Sequence, residues 1–165
     1  MIRAAVDTDF PILLALNAES EHFLSPMDGA RLQRLHGMAA YHRVLEMQGK
    51  VVAFLLAFAE RTEYDSLNYL WFDQRYPRFL YIDRVVVAAA EQGKRLGAML
   101  YDDLFAFARN SGFSTITCEF DVDPPNEASR RFHARYGFRE VGTQWVAGGK
   151  KLVSLQEASS SISPA

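Results

Sequence analysis

Cysteine is nearly missing from this chain: Cys118 stands alone. An intramolecular disulfide is thereby excluded, which fits a reducing compartment. Long apolar runs are missing too. The longest, VVAFLLAFA at 51–59, has nine residues, against the ~20 that a membrane helix needs. Positive charge is not in excess. The net charge is −2, so there is no global basic field for nucleic acid or an anionic membrane. The start, MIRAAVDTDF, lacks the apolar core of a signal peptide. Repeats are absent. His22, His36 and His42 do not have metal-ligand spacing, and no metal is expected. A Walker loop and a full dinucleotide glycine fingerprint are also absent, which ranks a generic nucleotide-binding domain low. The expected protein is cytoplasmic, without a membrane or nucleic-acid partner.

What is present has the length of one domain, 165 residues. Residues 1–156 read as that domain. The small polar stretch EASSSISPA, 157–165, reads as a disordered tail. IRAAV (2–6) is an expected strand, and Asp7 or Thr8 is placed to cap the helix after it. A second helix is expected from Ala30 to Met38. YHRVLEMQGKVVAFLLAFAE reads as a hairpin turning at Gln48-Gly49-Lys50. An aromatic-rich connection (62–78) leads to the strand FLYIDRVVV (79–87). Leu96, Leu100, Leu104 and Phe107 mark one face of the next helix. STITCEFDV (114–122) alternates strictly, with Glu119 and Asp121 opposite Cys118 and Phe120. A helix from Asn126 to Tyr136 and two strands joined at Gly148-Gly149 complete an α/β chain with a mixed sheet.

Between FLYIDRVVV and its helix lies EQGKRLGAML (91–100). A helix start offers unpaired N–H groups and the positive end of the dipole, and glycine lets an anion approach the backbone. Lys94 and Arg95 add charge there. The stretch reads equally as a plain turn with solvated cations. Further on, NEASRRFHARYGF (126–138) places Asn126, Ser129 and His133 on one helical face.

Together, Gln92-Gly93-Lys94-Arg95-Leu96-Gly97-Ala98 and Asn126-x-x-Ser129-x-x-Phe132-His133-x-x-x-Gly137-Phe138 resemble the GNAT superfamily of acyl-CoA-dependent N-acetyltransferases. The resemblance is dense over 79–139. Two positions depart from the family pattern. Arg95 stands where the first glycine is usual, and His133 where tyrosine is common.

The resemblance implies the acyl-CoA N-acyltransferase fold. That is a mixed, mostly antiparallel sheet of six or seven strands, helices on both faces and a splayed parallel central pair. It implies acetyl-CoA as co-substrate and a primary amine as acceptor: a small molecule, an amino acid or a peptide. Val85, Val86 and Val87 would meet the pantetheine arm. Gln92, Gly93, Lys94, Arg95, Leu96, Gly97 and Ala98 would hold the pyrophosphate. Asn126, Ser129, Phe132 and His133 would complete the cofactor site. His133, at the tyrosine position, would protonate the departing sulfur. The base is expected among Glu119, Asp83 and Asp121, in that order, the competing reading for each being an ion pair with Arg84, Arg130 or Arg131. Tyr64, Tyr69, Trp71, Phe72 and Tyr76 either wall the acceptor pocket or pack beneath the loop. Glu19, Glu21 and Asp28 could attract a cationic amine or form a solvated face. Cys118 is expected in the core. The last two strands would support a homodimer. The alternative function is a module that binds acyl-CoA without chemistry.

Overall fold

The computed structural model describes residues 1–21 and 24–161. His22 and residues 162–165 of the expected tail lie outside it. The elements are β1 (Ile2–Ala4), α1 (Phe10–Glu19), α2 (Gly29–Met38), β2 (Tyr41–Met47), β3 (Lys50–Ala59) and α3 (Leu67–Asp73). They continue with β4 (Leu80–Val87), α4 (Leu96–Asn110), β5 (Thr115–Asp123), α5 (Glu127–Arg135), β6 (Arg139–Val146) and β7 (Lys151–Ser159). The sheet runs in the order β1-β2-β3-β4-β5-β7-β6, with β4 and β5 a parallel pair. The expected fold class is borne out.

Two compact units share this chain. One comprises 1–58 and 82–104, the other 59–81 and 105–165. In the first, consecutive left-handed residues, Gln48 (φ +53°) and Gly49 (φ +76°), close the β2–β3 hairpin with Met47 opposite Lys50. This is the turn whose twist matches the strands. Its core gathers Leu13 and Leu16 of α1, Leu32 of α2, Val44, Phe54 and Val86. Each such side chain contributes about 1.5–3 kcal/mol on full burial.

The first helix is preceded by a 3₁₀ turn, Asp7–Asp9. Asp9, rather than Asp7 or Thr8, serves its start. Its carboxylate accepts the Val6 N–H at 2.9 Å and pairs with the Arg3 guanidinium at 2.8 and 2.9 Å. The Arg3 pair holds the Asp9 carboxyl below its ordinary range.

In the second unit, β5 pairs antiparallel with β7, and β7 with β6. The expected tail starts too early: Glu157, Ala158 and Ser159 ladder onto Thr117, Ile116 and Thr115. Backbone pairing orders this segment, and the Glu157 side chain is held besides by Tyr76 and Arg139. The aromatic connection also differs from expectation, because it contains α3. Ser66 caps that helix by accepting the Tyr69 N–H, a signal readable three residues ahead of the first tyrosine in it. Tyr69 and Phe72 are fully buried and Tyr64 nearly so. Tyr69 stacks among Tyr64, Phe79 and Tyr81 at 5.6–5.7 Å. These three residues pack the unit's core, as the packing reading of them expected.

Candidate active site

The structure places the expected site residues in two groups, one per unit. The first group begins on β4. Arg84 and Asp83 are both buried there, and the Arg84 Nε donates to Asp83 Oδ2 at 2.6 Å. The same guanidinium donates to Asn17 Oδ1 at 2.9 Å and reaches Ser25. Breaking such a buried pair leaves an uncompensated charge. For Asp83 this is the ion pair with Arg84 that its competing reading described. Val85 and Val87 are half-buried and Val86 is buried.

Beyond β4 the chain makes a 3₁₀ turn, Ala89–Glu91, whose first N–H is accepted by Glu19 at 3.0 Å. Glu19 thus braces this connection. Gln92, Gly93, Lys94 and Arg95 follow, all exposed. Gly93 is left-handed at φ +85°, and so is Arg95 at φ +63°. Lys94 pairs with Glu91. α4 then runs for 15 residues from Leu96. Around Gly97, in its first turn, no atom lies within 4 Å of where a Cβ would stand.

Arg95 explains its own departure from the family pattern. A left-handed conformation costs a non-glycine residue about 1–2 kcal/mol, whereas the added freedom of glycine in the unfolded chain costs about 0.4–1 kcal/mol. Arg95→Gly is accordingly expected to raise stability by roughly 0.5–1 kcal/mol. Thermal unfolding of the ligand-free protein checks this. A lowered Tm would show that the arginine side chain stabilises the turn.

Elsewhere in this unit, Asp28 caps α2 by accepting the Arg31 N–H at 2.7 Å. With Glu21, Pro26, Met27, Arg31 and Arg34 it lines an open cleft. His36 and His42 face each other, Nδ1 to Nδ1, at 2.8 Å. Burial, then the His36 charge, lowers the His42 pKa to about 4. Among the described residues no group of three or more His, Cys, Asp or Glu could hold a metal ion. Among them, too, no helix is long and apolar enough to cross a membrane.

The second group lies on β4, β5 and α5. The parallel ladder joins Leu80 to Ile116 and Tyr81 to Thr117, within strands of eight and nine residues. Glu119 is half-buried, and Tyr81 Oη donates to its Oε2 at 2.7 Å. Nothing in the local sequence announces this partner, 38 positions away. Asp121, further along the same face, lies 3.6 Å from Lys151 Nζ. Arg130, a candidate partner for these carboxylates, instead pairs with Glu127. Cys118 is 2% exposed, and burial drives its thiol pKa well up. A neutral core thiol is not a nucleophile.

Asn126 caps α5, its side-chain oxygen accepting the Ser129 N–H at 3.2 Å. The predicted face is real: Ser129 and His133 meet, Oγ to Nδ1, at 3.2 Å. Phe132 stands edge-on to the His133 ring and packs on Tyr136. His133 itself is 5% exposed and lies against Phe120 at 5.6 Å. Its Nδ1 is 2.7 Å from the Ser129 carbonyl oxygen. A carbonyl only accepts, so Nδ1 carries the proton and donates it there. Burial lowers the His133 pKa to about 4. Near neutral pH the ring is neutral, with Nε2 the acceptor nitrogen. The Nδ1 proton is thus committed to the Ser129 carbonyl, and burial disfavours a second proton on the ring.

Comparison with known proteins bears on the family and the fold. Phosphinothricin N-acetyltransferase of Streptomyces coelicolor is 42% identical over 67 residues. That stretch is 40% of this chain and only 37% of that protein's length. Ribosomal-protein-alanine N-acetyltransferase from Brucella melitensis superposes with a TM-score of 0.75 at 23% identity, covering 96% of this chain and 99% of that one. YncA from Salmonella typhimurium, solved with its cofactor acetyl-CoA, gives 0.75 at 20% identity, covering 100% and 96%. At these identities the two structures share the fold. Residues 8–138 match the acetyltransferase (GNAT) family, and the chain belongs to that family.

Proposed function

We propose that this protein is an N-acetyltransferase that moves the acetyl group of acetyl-CoA onto a primary amine by direct attack. The turn ahead of α4 carries this reading. Two left-handed residues, Gly93 and Arg95, precede a long helix, and Gly97 leaves open space in its first turn. First-turn N–H groups and the helix dipole favour phosphate there, so the residues present fit a pyrophosphate. Gln92 to Ala98 would bind it, with Arg95 adding a charge-assisted contact. Val85, Val86 and Val87 would meet the pantetheine amides through their backbone. Asn126, Ser129 and Phe132 are assigned to the cofactor by the family pattern.

Acetyl-CoA supplies an activated acyl group as a thioester. In this reading Glu119 takes the proton from the acceptor ammonium, and the freed nitrogen attacks the acyl carbon. The carbon–sulfur bond breaks, CoA leaves through its sulfur, and the nitrogen gives up its remaining surplus proton, which neutralises the departing thiolate as the amide forms. Asp83, tied to Arg84, takes no part. His133, neutral and bonded to the Ser129 carbonyl, packs against Phe120. The relatives act, by their names, on phosphinothricin and on a ribosomal-protein alanine. A small amino-acid-like amine or a peptide N-terminus is the corresponding acceptor class here.

Gly97→Val tests the reading. Its Cβ meets open space in the protein alone, so the variant should fold. It should bind acetyl-CoA at least about tenfold more weakly, a loss of ~1.4 kcal/mol or more. Calorimetric titration measures both proteins, and equal affinity would overturn the assignment of the turn. The neutral His133 favours one other reading, a module that binds acyl-CoA without turnover. Thiol release over a panel of amines separates the two.

A further inference from the structure

Tyr81 and Glu119 form a contact whose purpose the fold alone does not explain. Tyr81 is paired with Thr117 in the parallel ladder. Strand alternation then puts Tyr81, Thr117 and Glu119 on one side of the sheet. Tyr81 and Thr117 are fully buried. The tyrosine ring is fixed by Tyr69, edge-on at 5.7 Å, and by Phe72 at 6.0 Å. Its hydroxyl is thus a donor already aimed at Glu119 Oε2, at 2.7 Å.

We propose that Tyr81 is a positioning residue, holding the Glu119 carboxylate in one rotamer and in its ionised form, ready to take the proton of the acceptor ammonium. The proposal rests on the reading of Glu119 as base. Partial burial alone would favour the neutral acid. A hydrogen bond donated to the carboxylate favours the charged form and offsets this. A rigid donor also removes the entropy of searching for the reactive rotamer.

The titratable groups on the neighbouring elements have the following partners and charge states. The adjacent Cys118 thiol is kept neutral by burial and by the Glu119 charge. Tyr69 of α3 donates to the Ala59 carbonyl, and burial raises its pKa. Asp121 has Lys151 beside it. On β7, Glu157 is engaged by Tyr76 and Arg139. His133 of α5, packed on Phe120, is neutral above pH ~5, since its pKa is about 4.

The test uses ligand-free protein labelled with carboxyl-¹³C glutamate, the Glu119 resonance being assigned by its loss in Glu119→Gln. Tyr81→Phe should raise the titration midpoint of that resonance by roughly one pH unit. The acid limb of kcat/KM should move up equally, with acetyl-CoA affinity unchanged. Replacing Tyr81 by 3-fluorotyrosine, a more acidic phenol of nearly the same shape, should move both downward. That replacement decides the matter should the Phe variant not fold. An unmoved midpoint overturns the proposal, and so does a moved midpoint with an unmoved pH profile. A Glu119→Gln enzyme at the wild-type rate overturns the base reading and the proposal with it. In that case the resonance still reports whether Tyr81 holds the carboxylate.

Discussion

Glu119→Gln is expected to lower turnover by about 10²- to 10⁴-fold, the usual range for loss of a positioned general base. The substitution keeps the side chain's shape and an oxygen that can accept from Tyr81 Oη. It removes only the ability to take a proton. Acetyl-CoA affinity should therefore stay within about twofold, because the lost interaction grows in the transition state. The deficit should shrink as pH rises toward and past the pKa of the acceptor, about 8 for a peptide N-terminus, since the amine then arrives already deprotonated. Thiol release at saturating amine from pH 6 to 10, alongside calorimetric titration of acetyl-CoA, measures all three. Turnover within about twofold of wild type across that range, where 1.4 kcal/mol is tenfold, rules out the base assignment.

Acid should unfold this protein well above the carboxylate range. His42 and His133 both have pKa values near 4 in the folded state, against 6.5 as the ordinary value. A depressed histidine pKa means that the unfolded chain binds protons more readily. Above pH 6.5 both states are neutral and the groups contribute nothing. As pH falls from 6.5 to 4 each group withdraws about 3 kcal/mol, from 1.36 kcal/mol per pKa unit. Two groups together withdraw about 6–7 kcal/mol, comparable to the whole stability of many domains. Denaturant midpoints should fall gently from pH 7 to 6 and steeply from pH 6 to 4. His133→Phe should remove about half of that slope. A flat profile down to pH 5 would show that these rings take up protons in the folded state.

Much of this was legible in the sequence because the signals are local. Gln48-Gly49 gave the hairpin turn, and strict alternation at 114–122 gave β5. Glycine in a basic turn before a periodic helix gave the α4 start. Four features escaped for physical reasons. α3 was hidden because its aromatic residues, Tyr69, Trp71 and Phe72, have weak helix propensity, and tertiary packing overrode it. Asp9 displaced Asp7 and Thr8 because Arg3, six positions back, selects it. Glu157 to Ser159 became strand through pairing with β5, which no local pattern encodes. The protonation state of His133 follows from its burial, and burial belongs to the fold rather than to the helix that carries the ring. At the candidate base, residue type pointed to Glu119 and Asp83 alike. Only the tertiary partners, Tyr81 for one and Arg84 for the other, tell them apart.

The division of the chain has a consequence for its birth on the ribosome. Residues 1–58 emerge carrying β1 to β3 and most of the core around Phe54, but Val86 belongs to that same core. The first unit therefore cannot close until residues 82–104 have been made. By then residues 59–81, including the buried aromatics of α3, have already appeared. Partners of α3 on β5 and β6 are still to come. Synthesis thus passes through a stage at which one unit is complete while the aromatic segment of the other waits without its core. A nascent chain stalled shortly after residue 104 should be the form most attractive to chaperones that hold exposed apolar side chains.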